Sequence, residues 1–272
     1  MSFRNISRIP IVAGLIVVSA LMVSALAGCS GNGNTNKEPV KEPEPTESTI
    51  YVMSANSRPT SSYEVEYKND EHGNVTEYTL TKASPVGTVK RTTKQEFDEN
   101  GWITASTMTQ QGSSDKVEYS NELEKNDDGQ VVKVTSTSRT GTAETTYEYH
   151  PNGAIKSRTT TQSGGSMDTE EFDENGYRIK QVTTAPNGEE MGAEFTWAFD
   201  ESGNPTGWEA TGIGEGALSF FGIPSKVELS LDEHGNITEM RDASTGKAFQ
   251  RYSWERIDDP SEYAKLFSSL KR

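Results

Sequence analysis

What constrains this chain most is a turn signature that recurs seven times. Gly73, Gly101, Gly129, Gly153, Gly176, Gly203 and Gly235 are each preceded, three positions earlier, by Asp70, Asp98, Asn126, His150, Asp173, Asp200 and Asp232. Two positions after them stand Val75, Ile103, Val131, Ile155, Arg178, Pro205 and Ile237. The pentapeptide FDENG appears twice, at 97–101 and 172–176. Asp or Asn opens a type I turn well, because its side chain accepts from the turn's own amides. A glycine at positive φ then completes a hairpin with a bulge, and Pro151 falls where such a turn accepts proline. All seven glycines are therefore assigned a structural turn role.

The flanks of these turns read as strands. Tyr63–Tyr67, Thr145–Tyr149, Phe195–Phe199 and Val227–Leu231 alternate apolar or aromatic with polar residues, the two-residue period of a half-buried strand. Seven hairpins give roughly 14 strands, more than an open twisted sheet carries without curling. The expected fold is all-β: a curved antiparallel sheet of about seven sequential hairpin repeats, open or partly closed and solenoid-like, with a short C-terminal α-helix.

The stretches 232–238, 71–76 and 147–155 keep an aromatic-x-aromatic-Asp-x-x-Gly-Asn-aliphatic-Thr pattern in degenerate form. This resembles the YD repeat of the Rhs-like families over most of residues 63–245. In the large relatives such hairpins spiral into a shell around a toxin. Seven units with no separate toxin domain compare better with small YD-repeat surface lipoproteins.

Two segments interrupt the pattern. Residues 211–226 contain Ala217, Leu218, Phe220, Phe221 and Ile223, the most apolar run after the leader. It reads either as a short helical plug on the sheet's apolar face or as a lid that contacts a ligand. At the C-terminus, Asp259 stands as an N-cap, Pro260 at the first helical position and Glu262 in place for a capping box. Tyr263, Leu266, Phe267 and Leu270 then share one helical face, which is expected to cover one end of the sheet.

The other end of the chain gives an address. Arg4 and Arg8 precede an apolar run from Ile9 to Leu26, and Leu26-Ala27-Gly28-Cys29 follows. A basic start, an apolar stretch and small residues read as a secretory signal. The final tetrapeptide resembles the lipobox of bacterial lipoproteins. The resemblance implies a diacylglyceryl group on Cys29, the chain's single cysteine, and attachment to the extracytoplasmic face of a bacterial cell membrane. Four parts are expected: signal peptide 1–28, lipidated Cys29 with a tether rich in Pro, Gly and charges over 29–48, a β domain over 49–257, and a capping helix over 258–272. The net charge of −15 falls by two, to −17, once Arg4 and Arg8 are removed. So acidic a chain is a poor partner for nucleic acid.

No catalytic residue, metal ligand or cofactor is assigned. The three histidines, His72, His150 and His234, sit inside the turn motif without zinc-ligand spacing. FDENG lacks the Asp ladder of a calcium loop, and no Gly-x-Ser-x-Gly elbow occurs. The aromatics remain as binding candidates, with Trp197, Trp208, Phe220 and Phe221 as possible ligand contacts. The leading expectation is a non-enzymatic, membrane-tethered scaffold binding an extracellular protein, glycan or lipid. The alternatives are a carrier that encloses a hydrophobe and, further off, an envelope hydrolase.

Overall fold

The computed structural model describes residues 50–58, 63–84, 87–268 and 270. The signal peptide, Cys29 and the tether lie outside these residues. Sixteen strands follow one another: β1 (Ile50–Arg58), β2 (Tyr63–Asn69), β3 (Val75–Ser84), β4 (Gly87–Phe97), β5 (Ile103–Gln110), β6 (Lys116–Lys125), β7 (Val131–Ser138), β8 (Gly141–Tyr149), β9 (Ile155–Gln162), β10 (Met167–Phe172), β11 (Arg178–Thr184), β12 (Glu190–Phe199), β13 (Pro205–Ile213), β14 (Lys226–Leu231), β15 (Ile237–Asp242) and β16 (Lys247–Ile257). Helix α1 (Ala217–Phe221) lies between β13 and β14, and α2 (Glu262–Ser268) follows β16.

Each strand pairs antiparallel with its neighbours in sequence, and β1 pairs with β16 to close the barrel. This corrects the expectation of an open or partly closed, solenoid-like sheet. Fourteen strands belong to the seven hairpins; the closing pair lies outside them. Ile50 pairs with Ile257 and Ser57 with Arg251. Closure leaves no edge strand to recruit another chain. Each strand pairs on both sides with strands of residues 50–257, so the barrel closes within them.

The seven turns share one geometry. The glycine amide donates to the carbonyl three residues back, and that residue's amide donates to the carbonyl of the residue after the glycine, as in Gly101 to Asp98 at 3.1 Å and Asp98 to Trp102 at 2.9 Å. All seven glycines have φ between 76° and 85°. Each hairpin also shifts register just before its first turn residue, for example between Glu96 and Phe97 or Glu171 and Phe172. The seven turns make every second connection of a sequentially antiparallel sheet, so all lie at the same end of the barrel.

Strand alternation sorts the side chains. On β2, Glu64, Glu66 and Lys68 are exposed while Val65 and Tyr67 are buried; β8 alternates Thr142, Glu144, Thr146 and Glu148 against Ala143 and Thr145. Buried residues point into the barrel and form its core. The outward face is dominated by Glu, Lys and Thr. A membrane-spanning barrel instead wears an apolar band about 25 Å tall, into which charged side chains fit poorly. Among the described residues no helix is long and apolar enough to cross a membrane.

Candidate functional site

The turn end of the barrel is closed, and the repeat chemistry shows how. In each Asp turn, Oδ1 accepts two backbone amides; for Asp232 these come from His234 and Asn236 at 2.9 and 2.8 Å. Where the glycine is followed by Asn, that side chain adds a third bond to Oδ2: Asn74 to Asp70, Asn204 to Asp200 and Asn236 to Asp232, at 3.0, 3.1 and 2.9 Å. The third copy exchanges the roles. Asn126 donates its Nδ2 to Gln130 Oε1 at 3.1 Å. The Gly-Asn dipeptide is thus a turn lock.

The aliphatic residue that follows points inward. Val75, Val131, Ile155 and Ile237 are all nearly inaccessible. In the second and fifth copies Trp102 and Tyr177, directly after the glycine, take the buried place, and Ile103 and Arg178 are only half-buried. Helix α2 packs against this layer. Ser261 N donates to His72 O and Tyr263 N to Asn100 O, at 2.9 and 3.0 Å. Trp102 meets Tyr263 and Phe267 edge-on, and Tyr147 meets Phe267 likewise. The helix is capped by Ser261, whose Oγ accepts from Ala264 N at 3.1 Å. Asp259 instead places its carbonyl 2.9 Å from His72 Nδ1.

One buried group departs from the repeat. Three residues before the turn opener, the seven copies carry Tyr67, Gln95, Leu123, Tyr147, Glu170, Trp197 and Leu229. Glu170 is the only acid among them. Two residues after the glycine, the same fifth copy alone carries a cation, Arg178. The two pair at 3.1 Å, and Arg158 from β9 holds the other carboxylate oxygen of Glu170. The Arg178 guanidinium also lies 4.9 Å from the centre of the Phe195 ring. Burial works against the charge on Arg158, but Glu170 and the nearby Tyr147 phenol outweigh it and hold Arg158 firmly protonated. Among the described residues, Nη1 of Arg158 and Nε of Arg178 are buried without a hydrogen-bond partner. A buried ion cluster adds little stability compared with apolar packing.

Towards the other end the interior changes. Inward-facing Tyr63, Tyr78, Leu80, Val89, Met108, Val117 and Tyr119 are only half-buried although the wall around them is closed. Solvent therefore reaches them through the lumen. Burial pushes the Tyr78 phenol up to about 12 despite its bond to Thr93. Among the described residues, no three His, Cys, Asp or Glu side chains gather as a metal site.

The four aromatics singled out from sequence fall in two places. Trp197 and Trp208 are register partners across β12 and β13. Trp208 is core, edge-on to Phe195, while Trp197 donates Nε1 to Arg178 O at 2.9 Å. Phe220 and Phe221 touch each other on α1, with Phe220 73% exposed. That helix sits where the ladder is shortest, since β13 and β14 share only the pairs from Gly207–Glu228 to Glu209–Lys226. Sequence reasoning missed the Arg158–Glu170–Arg178 cluster. The signal was present, as two charged residues at repeat positions whose siblings carry none.

No family model matches the chain, and no curated protein matches it. Among solved structures it is similar to a porin-like protein from Bacteroides uniformis, with 14% identity, a TM-score of 0.44, and 76% of this chain and 97% of that one covered. It is also similar to part of a TcdB2–TccC3–Cdc42 structure, at 11% identity and a TM-score of 0.36, spanning 12% of that chain. A third similarity is to the Photorhabdus luminescens Tc holotoxin pore, at 10% identity and a TM-score of 0.35, with 80% of this chain and 15% of that one covered. At these scores the likenesses assign neither family nor activity.

Proposed function

We propose that this chain is a non-enzymatic binding barrel of the bacterial envelope, anchored by a diacylglyceryl group on Cys29, that takes an extracellular ligand into its lumen from the end opposite α2. The observation that carries this reading is the contrast between the two ends. Side chains at the turn end are sealed by α2, whereas inward tyrosines and aliphatics of the other half stay in contact with solvent inside a closed wall. A concave, aromatic-lined space with a few polar groups is the usual form of a ligand site. The charged outward face supports a barrel that stands in water beside the membrane.

Two experiments test it. In a Cys29→Ser background, Leu80→Cys is expected to react with a small maleimide and to resist a large polyethylene glycol maleimide; no reaction with either sinks the lumen reading. In a bacterial host, the unaltered chain is expected to incorporate labelled palmitate and Cys29→Ser to lose it. Incorporation that persists without Cys29 rules out the anchor.

A further inference from the structure

Charge is sorted across the wall in a way that the fold does not require. Strands β1 to β6 present Glu64, Glu66, Glu77, Glu96, Glu118, Glu122 and Glu124 outward. Their inward register positions hold no carboxylate. Instead, Arg58 and Lys82 flank Tyr63 on one rung, since both pair with it across the ladder. On the next rung Leu80 faces Arg91, and Arg91 reaches across to Gln110, donating Nε to Oε1 at 3.0 Å. Tyr78, Thr93, Met108 and Val117 continue the wall one rung deeper.

In a protein this acidic, three cations on the acid-free β1–β6 part of the inner wall make that side of the lumen attractive to an anion, while the opposite side carries Asp168 at the inward position beside Thr160 and Thr183. Their register places all three on the inner face, with Arg58 and Lys82 exposed at the mouth. The side chains between them are phenols and aliphatics, which suit an apolar body more than a hydrated one.

Building on the lumen reading above, we propose that this inner wall binds an anionic amphiphile: an acid group held by Lys82, Arg91 and Arg58, and an apolar chain laid along Tyr63, Leu80 and Met108. Charge-assisted hydrogen bonds from Arg to a carboxylate are about twice as strong as neutral ones. The acid group therefore sets the preference, and the chain supplies area.

The test compares three single-chain probes of equal length, dodecanoate, dodecanol and dodecyltrimethylammonium, titrated calorimetrically into residues 49–272 below their aggregation limits. Dodecanoate is expected to bind saturably at one per barrel, about tenfold or more tighter than dodecanol, with the cationic probe weakest. Lys82→Gln with Arg91→Gln is expected to erase that preference and leave dodecanol binding unchanged. Both side chains reach solvent, and circular dichroism checks that the variant folds; Arg58→Gln is the second variant. Equal affinity for dodecanoate and dodecanol overturns the proposal, as does full dodecanoate binding by the double variant. If no probe binds while Leu80→Cys still labels, the amphiphile is wrong and the lumen stands. If the cysteine does not label, both readings fail.

Discussion

Ser261 donates its Oγ to Oδ1 of Asn74 at 2.6 Å, across 187 residues of sequence. The same oxygen caps α2 by accepting from Ala264 N. One hydroxyl thus ties the C-terminal helix to the first turn, and Asn74 in turn locks Asp70. A repeat side chain that elsewhere serves only its own turn has become the landing point for the plug.

Gly101 stands beside this contact, and a Cβ there would lie 2.4 Å from both Ser261 Oγ and Asn74 Oδ1. Gly129 has nearly the same φ, 80° against 84°, but open space around it. Alanine at Gly129 should therefore cost only the left-handed backbone penalty, about 1–2 kcal/mol. Gly101→Ala should cost more, about 3 kcal/mol or above, because it adds the loss of the cap and its bond. Urea unfolding of the two variants gives the comparison, and equal losses would refute it.

The turn lock can be exchanged by design. Asp200→Asn places an amide against the Asn204 amide and should destabilise by about 1 kcal/mol. Adding Asn204→Gln recreates the Asn126–Gln130 arrangement of the third copy and should recover most of the loss. A double-mutant cycle measures the coupling; simple additivity would show that the lock is not transferable.

Glu170→Leu alone strands Arg158 and Arg178 in the interior without a counter-charge. A loss of about 3–5 kcal/mol is expected, whereas Glu170→Leu with Arg158→Met and Arg178→Met should return close to the parent or exceed it. If the triple variant is as weak as the single one, the cluster is holding the wall together in its own right.

Stability should respond to pH from two sides. Hydrogen bonds from Asn204 and its turn hold the Asp200 carboxyl low, as those from Ser244 hold Asp242. Their contribution is complete above the unfolded value of about 3.9 and disappears as pH falls through the lower folded values. His72 behaves in the opposite sense. Its pKa is raised, first by its bond to the Asp259 carbonyl, so its contribution is complete below about 6.5 and is lost as pH rises through the folded value. Thermal unfolding from pH 2 to 8 should show a loss at the acid end that Asp200→Asn diminishes, and a smaller decline near neutrality that His72→Gln removes.

The hairpins were legible because their cause is local: Asp, Gly and the residue after Gly determine the turn among themselves. Two further turns of the same geometry, closed by Gly165 and Gly188, escaped notice because Gln162 and Ala185 open them. The Pro186-Asn187-Gly188 sequence, matching Pro151-Asn152-Gly153, was the available clue. Closure was not legible. Strand β1 carries no turn motif and meets β16 about 200 residues later, and nothing near Ile50 specifies Ile257. The helix start differed by two residues because the Ser261 hydroxyl both accepts from Ala264 N and reaches Asn74, while Asp259 is engaged by His72. The charged cluster and the inner cations required the register as well as the alternation, since alternation sets the facing of a residue within its strand but not which residues of neighbouring strands stand beside it.

The direction of β1 has one more consequence. Ile50 starts beside Ile257, at the end sealed by α2, and Arg58 finishes among the lumen cations. The described chain thus enters the barrel at its sealed base, and the mouth that bears Arg58 and Lys82 lies at the far end. Under the proposed anchor at Cys29, foot and mouth of the cup are opposite ends of one strand.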